Sequence, residues 1–252
     1  MEPNVSSKLE SQIDPDLKFF LVQIHATCFI FAWFFVTVLA SASARYLRHL
    51  MPNYKPFGLL LWFHIHRTLN LFAIALMAAG LLVVFIAYEW RWTGPKPNGT
   101  KNLSPGSLHT LFGISGCVLA FIQPVLAWFR CAPSHQNRET FNKVHRILGC
   151  LSWLFATICL GIACFYFKKR LISTEAAFAL FLANLVLIVV VTIGLEYYSS
   201  YKQKEKRVSE NGKASNRRSA SIPYANCLVV TILSLTTLTV STLICILVWL
   251  KR

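Results

Sequence analysis

Acidic residues are scarce in this sequence: 10 Asp and Glu stand against 25 Lys and Arg in 252 residues, and charged residues make up only 14%. Hydrophobic residues make up 55%, with a mean hydropathy of +0.52. This composition excludes an ordinary soluble domain and is typical of membrane proteins. Glu89, Glu175 and Glu196 lie at the ends of apolar runs, and no carboxylate lies deep inside one. The scarcity therefore argues against carboxylate metal sites and acidic proton relays within the membrane.

Cysteine pairs outside the apolar runs are also missing. Seven of the eight cysteines lie within apolar runs, and Cys131 directly follows one. This distribution is typical of packing residues and argues against a disulfide framework or a zinc site. Residues 1–18 have four acidic residues and no basic n-region before a short apolar core, so no secretory signal is predicted.

Six apolar stretches are long enough to cross a hydrocarbon core of about 30 Å, which takes roughly 20 helical residues. They are continuously apolar, which favours helices over a barrel. We predict an all-α membrane protein with spans at 19–44, 57–90, 107–129, 144–167, 174–197 and 224–250, the second long enough to tilt or project. The predicted layout is a non-cytosolic tail (1–18), a five-helix part (19–198), a flexible cytosolic loop rich in Lys, Ser, Asn and Gly (199–223), and a sixth helix with a short tail (224–252).

Basic residues are shared unevenly between the two sides. The connections after the first, third and fifth spans are the more basic, so the positive-inside rule places them in the cytosol and both termini outside it. Three N-glycosylation sequons, at Asn4, Asn98 and Asn102, all fall on the predicted non-cytosolic side. Because the charges flank membrane spans, we expect anionic lipid or a small anionic substrate as partner, and no nucleic acid. The plasma membrane or an endomembrane is the predicted location.

Four spans each carry a histidine about two turns inside one end: His25, His66, His109 and His145. An ionisable residue at membrane depth is costly and seldom lacks a partner. The chain reverses direction at each crossing, so His25 and His109 are predicted near the non-cytosolic face and the other two near the cytosolic face. This alternation predicts two bis-histidine sites.

The metal that suits these pairs is haem iron. Zinc or a transported ion would normally draw on carboxylates, whereas neutral imidazole pairs in an apolar bundle suit a b-type haem. Two filled axial positions leave no open site on iron, which indicates electron transfer. Gly113 and Gly149, each four residues after a histidine, leave room on that helix face for a flat macrocycle. Arg67 and Arg146 are candidate partners for haem propionates or an anionic reductant.

Three other histidines receive no ligand role. His64 points away from His66 around the helix and is predicted to pack or to touch a haem edge. His49 is predicted at the membrane interface. His135 lies in the third connection, where it is either solvated or close to the cytosolic haem.

Several runs resemble the cytochrome b561 domain: His25 with Ala44-Arg45-Tyr46-Leu47-Arg48, Trp62-Phe63-His64-Ile65-His66-Arg67, and Leu108-His109 with Gln123-Pro124 and Phe129-Arg130. The set His135, Arg138, Phe141-Asn142 and His145 is similar to the DOMON-associated branch, the ferric-chelate reductase 1 (stromal cell-derived receptor 2) type. The resemblance covers residues 20–167. The last two spans fit the family's six-helix plan by length and hydropathy only.

This resemblance implies a four-helix haem-binding core with two haem b groups. It implies cytosolic ascorbate as electron donor and a ferric chelate or monodehydroascorbate as acceptor on the other face. By position, His25 and His109 would ligate the non-cytosolic haem, and His66 and His145 the cytosolic one. Arg130 and Lys143 join Arg67 and Arg146 as candidates for the reductant site. Only the short tail 1–18 precedes the first span, so no DOMON domain is expected before it. A homodimer is the candidate assembly.

Two other function classes remain open. The chain could keep this fold as a receptor or assembly subunit with weak or no redox activity. It could also be a divalent-ion or proton transporter with the histidines as relays, although the missing carboxylates count against that class. A haem absorbance spectrum separates both from the electron-transfer enzyme.

Overall fold

A computed structural model describes residues 13–48, 51, 53–132, 134–211 and 221–251. This part of the chain contains no β-strand, and its helices are α1 (Pro15–Phe31), α2 (Thr37–Tyr46), α3 (Leu61–Ala87), α4 (Pro105–Trp128), α5 (Arg138–Tyr166), α6 (Thr174–Asn211) and α7 (Ser221–Trp249). A π-helical turn, Ala32–Val36, joins α1 and α2 into one span. Six spans in the described residues are long and apolar enough to cross a membrane. The predicted all-α membrane fold is confirmed.

The sequence sets two helix starts through side-chain caps. The Asp14 carboxylate accepts hydrogen bonds from the backbone N–H groups of Asp16 (2.9 Å) and Leu17 (3.1 Å). Ser104 accepts one from the N–H of Ser107 at 3.4 Å. A proline follows each cap at the first helical position, where its missing N–H costs nothing.

The second span is shorter than the stretch 57–90 predicted from hydropathy. Its helix runs from Leu61 to Ala87, because the backbone at Leu60 is extended (φ −61°, ψ 141°) and the chain leaves the right-handed helical region after Tyr88. Phe57 has φ 51°, and Glu89 and Trp90 have φ 53° and 60°. At 1.5 Å per residue this helix is about 40 Å long, still enough to cross a bilayer.

Two helices are longer than predicted. Helix α5 begins at Arg138, ahead of the predicted start at 144, and Glu139 pairs with Lys143 across its first turns at 2.8 Å. Helix α6 continues to Asn211, so the first half of the predicted loop 199–223 is helical, with Lys202 paired to Glu205 at 2.7 Å. Such i,i+3 and i,i+4 pairs let a polar stretch remain helical beyond the apolar span. Residues 212–220, Asn4 and His49 lie outside the described residues.

The helices that carry the four histidines pack in two close pairs. The α1–α2 span packs against α3, and α4 packs against α5. Glycines permit the close approach: a Cβ added at Gly80 would lie 2.7 Å from the Phe29 ring, and one at Gly116 would lie 3.3 Å from the α5 backbone. Ser152 also donates to the Gly116 carbonyl oxygen at 2.7 Å, across the α4–α5 contact.

Helices α6 and α7 brace the outside of this core. At one end, the side chain of Gln23 on α1 donates to the Val248 carbonyl oxygen of α7 at 3.0 Å. At the other, Arg45 makes a two-pronged ion pair with Glu196 of α6, with both N–O distances 2.6 Å, and the Tyr46 hydroxyl donates to the same carboxylate at 3.1 Å. These contacts fix the ends of the α1–α2 span, which serves both histidine sites.

Candidate bis-histidine metal centres

The first histidine pair joins α1 and α4. The rings of His25 and His109 have centroids 6.3 Å apart. Nδ1 of His25 lies 3.0 Å from the Gly80 carbonyl oxygen of α3, and Nδ1 of His109 lies 3.1 Å from the Cys159 carbonyl oxygen of α5. A carbonyl oxygen can only accept, so each Nδ1 carries the proton and each Nε2 keeps a free lone pair.

The second pair joins α3 and α5 and has the same separation. The ring centroids of His66 and His145 are also 6.3 Å apart. Nδ1 of His66 lies 3.0 Å from the Ala40 carbonyl oxygen of α2. Nδ1 of His145 faces the side-chain amide of Gln123 on α4 instead, at 2.6 Å. The structure thus brings together the four histidines that the alternation of spans selects.

A regular spacing underlies both pairs. Each of α3, α4 and α5 carries one histidine and, further along, one supporting residue that contacts a histidine of the other pair. The sequence interval between the two is the same on all three helices: Gly80 after His66, Gln123 after His109, and Cys159 after His145. This interval is close to four helical turns, so ligand and support lie on one helix face about 21 Å apart. On the α1–α2 span the corresponding interval, from His25 to Ala40, is longer by a single residue.

The π-helical turn accounts for this extra residue. Ala32–Val36 lies between His25 and Ala40, and a single π turn accommodates one residue more than an α turn. Without that turn, the extra residue would rotate the supporting carbonyl by about 100° away from His66. The π turn therefore lets one span serve both pairs.

Each pair adjoins a cavity. A cavity of about 400 Å³ contains His25 and His109 and is otherwise mostly apolar, with Arg91 and Arg170 among its lining residues. A more open cavity of about 540 Å³ adjoins His145 and is lined in part by Phe141 and His135. Both volumes lie within the range usual for small-molecule sites.

Comparison with known proteins identifies the family of a chain with this arrangement. The family model of eukaryotic cytochrome b561 matches residues 24–169, more than half of the chain. The chain belongs to the eukaryotic cytochrome b561 family. The family resemblance of the sequence is thereby confirmed, and membership implies b-type haem and, in general terms, transmembrane electron transfer.

Curated relatives share this domain within much longer chains. A provisionally named ferric-chelate reductase 1 of Danio rerio is 28% identical over 167 residues, which are 66% of this chain and 25% of that protein. A cytochrome b561, DM13 and DOMON domain-containing protein of Arabidopsis thaliana is 30% identical over 214 residues, 82% of this chain and 21% of its own. Ferric-chelate reductase 1 of Bos taurus is 28% identical over 137 residues, 54% and 21% of the two chains. The chain thus spans about a quarter or less of the relatives it matches. No solved structure matches it.

The histidine pairs of this cytochrome b561-family chain fit haem iron. Two imidazoles bound end-on to one metal, at about 2.0 Å per metal–nitrogen bond, place their ring centroids roughly 6 Å apart, as in both pairs here. No group of three or more His, Cys, Asp or Glu side chains forms a metal site within the described residues. A metal held by one pair must therefore bring its remaining ligands with it, as haem iron does.

The glycines beside the ligands differ in the space they leave. A Cβ added at Gly149, one turn after His145, would meet nothing within 4 Å. A Cβ added at Gly113, one turn after His109, would meet only the Cys159 Sγ, at 3.2 Å. Gly149 therefore adjoins the open space that a flat ring system beside His145 would need.

Arginines surround the His66–His145 end and stack on aromatic rings. Arg130 lies 4.6 Å from the Phe63 ring centroid, and Arg67 lies 5.8 Å from the same ring. Arg48 lies 5.2 Å from the Trp62 ring centroid. Burial, then the charges of neighbouring arginines, lowers the pKa of Arg48 and of Arg130 below the usual arginine value. Positive charge at this end is thus incompletely compensated, which favours an anionic ligand.

The remaining basic candidates at this end are less enclosed. Arg146 and Lys143 are exposed, and Lys143 pairs with Glu139 at 2.8 Å. Arg138, part of the set that carries the family resemblance, donates to the Cys131 carbonyl oxygen at 2.6 Å and is half-buried. Arg130 and Arg138 each combine partial burial with an aromatic contact, Arg138 at 5.7 Å from the Phe141 ring centroid.

The two other described histidines lie apart from the ligand positions. His64 has Nε2 2.8 Å from the Pro56 carbonyl oxygen, in the turn before α3. His135 lines the open cavity beside His145, and its Nδ1 accepts from the Asn137 backbone N–H at 3.1 Å. His64 therefore contacts the connection before α3. His135 lies in the cavity beside His145, where it could contact a molecule that approaches His145.

Sequence reasoning missed the groups that hold the imidazoles. Three are main-chain carbonyls, at Ala40, Gly80 and Cys159, whose side chains carry no signal for the role. The fourth, Gln123, is a polar residue inside an apolar span, and its polarity at that depth was a signal available in the sequence.

Proposed function

We propose that this chain carries electrons across a membrane through two b haems. His25 and His109 would ligate one haem iron, and His66 and His145 the other. The observation that carries the proposal is the repeated geometry: two histidine pairs at 6.3 Å, with free Nε2 atoms wherever a carbonyl holds Nδ1. The haem supplies the one-electron couple, and the protein supplies ligands, burial and charge.

The separation of the pairs suits a path across one bilayer. Ligand and support positions on each helix are about 21 Å apart along the axis, and the hydrocarbon core is about 30 Å thick. Both haems would then lie within the core, and electrons would pass between them without a moving carrier. The basic connections favour the His66–His145 pair at the cytosolic face and both termini on the opposite side.

The arginine cluster supports an anionic donor at the cytosolic end. Ascorbate, the donor implied by the family resemblance, is an anion at neutral pH. Arg130 is half-buried and its charge is incompletely compensated, so it is our first candidate for the donor contact. Arg67, Arg146 and Lys143 would bind propionates or assist the donor's approach.

At the opposite end, the cavity of the His25–His109 pair supports an anionic acceptor. Arg91 and Arg170 are among its lining residues. Arg91 is paired with Glu89, whereas Arg170 stacks on Phe19 at 5.1 Å and is the stronger candidate for an anion contact. Two of the relatives described above are named as ferric-chelate reductases. We therefore propose a ferric chelate as the acceptor, with monodehydroascorbate as the second candidate.

Visible spectroscopy of the purified protein tests the haem assignment. The dithionite-reduced minus oxidised spectrum should show a b-type α-band, which ascorbate also produces, with two haems per chain. His25→Ala and His66→Ala should each reduce the content to one haem, and the remaining haem should differ between them. His64→Ala is the control and should keep both. Absence of haem would reject the proposal, and loss of the same haem in both variants would reject the pairing.

Sealed vesicles test transfer across the membrane. Vesicles loaded with ascorbate and bearing the haem-loaded protein should reduce an external ferric chelate, and vesicles without protein should not. His66→Ala should abolish this reduction because one half of the path is missing. Equal reduction by wild type and His66→Ala would contradict transfer through both haems.

A further inference from the structure

One histidine differs from the others in what holds it. His25, His66 and His109 each direct Nδ1 at a main-chain carbonyl oxygen, at 3.0 to 3.1 Å. Nδ1 of His66 also lies 3.2 Å from Nδ2 of Asn70 on its own helix. Nδ1 of His145 faces the side-chain amide of Gln123 at 2.6 Å. A carbonyl can only accept a hydrogen bond, whereas an amide presents an acceptor at one terminal atom and donors at the other.

The two orientations of this amide correspond to two proton positions on His145. In one, the amide NH₂ of Gln123 donates to Nδ1 (2.6 Å) and to the His145 carbonyl oxygen (3.2 Å), while its oxygen accepts from the Gly149 N–H at 3.2 Å. A neutral imidazole then carries its proton on Nε2, and that nitrogen has no lone pair for a metal. This orientation suits the metal-free state.

A half-turn of the amide gives the other state. Oε1 then occupies the position 2.6 Å from Nδ1 and accepts the Nδ1 proton. The same turn places Oε1 3.2 Å from the His145 carbonyl oxygen and the NH₂ 3.2 Å from the Gly149 N–H, so those two hydrogen bonds are lost and the Nδ1 contact is the one that holds this orientation. Nε2 of His145 is thereby deprotonated and free to bind iron. A metal at Nε2 requires this tautomer, because a neutral imidazole has a single ring proton.

The register of α4 supports a specific role for Gln123. It follows His109 at the same interval at which Gly80 follows His66 and Cys159 follows His145, and those two residues support the opposite histidine pair. Gln123 thus occupies the fourth support position of the arrangement. It is half-buried, at the α4–α5 contact.

We propose that Gln123 is the positioning residue of His145: its Oε1 accepts the Nδ1 proton when iron is bound, and so lowers the potential of that haem alone. This inference rests on the proposed haem function. An acceptor at Nδ1 makes an imidazole more electron-rich, which stabilises ferric over ferrous iron. Because Gln123 is a side chain, this support can be removed by mutation, unlike the other three.

Single-haem variants isolate the effect. In His25→Ala, which retains the His66–His145 haem, Gln123→Leu should raise the midpoint potential in a spectroscopic redox titration. We expect about a tenfold rise in the reduced-to-oxidised ratio at fixed potential, which is about 59 mV for one electron. Gln123→Glu keeps an acceptor oxygen in either protonation state and should hold the potential at or below that of Gln123. In His66→Ala, which retains the other haem, Gln123→Leu should change nothing.

The outcomes separate this inference from the proposed function. If the wild-type protein contains no haem, the proposed function and the role of Gln123 are both rejected. Wild type with two haems, and an unchanged potential in His25→Ala/Gln123→Leu, overturns the role of Gln123 alone. An equal shift in the His66→Ala background also overturns it, because the effect is then not local. If Gln123→Leu fails to retain haem, Gln123→Asn decides: its amide is one methylene too short, so it should show the raised potential, and an unchanged potential overturns the proposal.

Discussion

A neutral histidine binds a metal through the ring nitrogen that carries no proton. A hydrogen-bond acceptor that keeps the proton on the other ring nitrogen therefore prepares the histidine as a ligand. In this chain the groups at that other nitrogen come from neighbouring helices, at 3.0 to 3.1 Å for the three carbonyl contacts. Each contact fixes both the tautomer and the ring orientation before any metal binds. Each of these histidines thus depends on a neighbouring helix for the tautomer and the ring orientation that metal binding needs.

At the donor end, Arg130→Gln should weaken the binding of ascorbate. The half-buried guanidinium loses a charge-assisted contact, so we expect KM for ascorbate to rise roughly tenfold with little change in kcat. Steady-state reduction of the haems by ascorbate measures both constants. The difference from wild type should shrink at high salt, since salt screens the attraction between Arg130 and the anion in the wild type.

Lys143→Gln is the matched control for that variant. Lys143 is exposed and its charge is offset by Glu139, so its loss should leave KM nearly unchanged. A larger KM effect from Lys143→Gln than from Arg130→Gln would contradict the assignment of the donor contact.

At the scale of single helices, the histidine and the supporting residue must lie on the same helix face, which fixes the number of residues between them. The α1–α2 span meets this requirement only through the π turn, because its interval is one residue longer than that of the other helices. A surplus residue in a helix is normally a source of instability. Here it keeps His25 and Ala40 aligned with their partners on other helices.

Deleting one residue from the π turn should therefore be tolerated. Without Phe35, the turn can become α-helical, and the interval from His25 to Ala40 then equals that on the other helices. We expect both haems to remain. Deleting Ala75 between His66 and Gly80 is the matched control: it rotates one end of α3 by about 100° and should cost at least one haem. Haem content per chain measures both, and equal losses would contradict the register argument.

Filling the space beside Gly149 tests the haem position on α5. Gly149→Phe should displace the His66–His145 haem, because its side chain enters open space one turn from His145. Gly194→Phe on α6 is the control, since a Cβ there also meets nothing within 4 Å. Spectroscopic haem content should fall to one in the first variant and stay at two in the second. Two haems in Gly149→Phe would place the macrocycle elsewhere.

The sequence predicted the number and direction of the membrane helices more accurately than the residues at which each helix begins and ends. Alternation of spans selected His25, His66, His109 and His145, because helix depth and direction follow from hydropathy alone. The π turn, the positive φ of Phe57 and the continuation of α6 to Asn211 depend on packing and local ion pairs, which hydropathy does not record. The supporting carbonyls depend on contacts between residues far apart in the chain.

At the scale of the whole molecule, charge is distributed by side. The arginine cluster near the His66–His145 pair and the basic stretch 202–218 share one predicted face, and the sequons share the other. This division would give the proposed anionic donor and the proposed anionic acceptor separate sites on one molecule. It also makes the orientation testable without any redox measurement.

Glycosylation reports that orientation. Asn98 is exposed in the connection between α3 and α4, whereas the Asn102 amide donates to the Lys96 carbonyl oxygen at 2.8 Å. In eukaryotic cells we expect a glycan on Asn98, removed by peptide N-glycosidase or by Asn98→Gln, with a shift in gel mobility.

A new acceptor site on the opposite side is the matched control. Arg218→Thr completes a sequon at Asn216, in the connection that is predicted to be cytosolic from the distribution of basic residues. This site should remain unglycosylated when Asn98 carries a glycan. A glycan on Asn216 would reverse the topology.

The supporting carbonyls have a consequence for how this protein can diverge. A main-chain acceptor survives replacement of its own side chain, so Ala40 and Cys159 can drift within the space available and still hold their histidines. Gly80 lacks that freedom, because any Cβ there would lie 2.7 Å from the Phe29 ring. Gln123 lacks it as well, because there the side chain itself contacts the imidazole. Among related sequences, positions 40 and 159 should therefore vary more than positions 80 and 123, although the four occupy equivalent places in the fold.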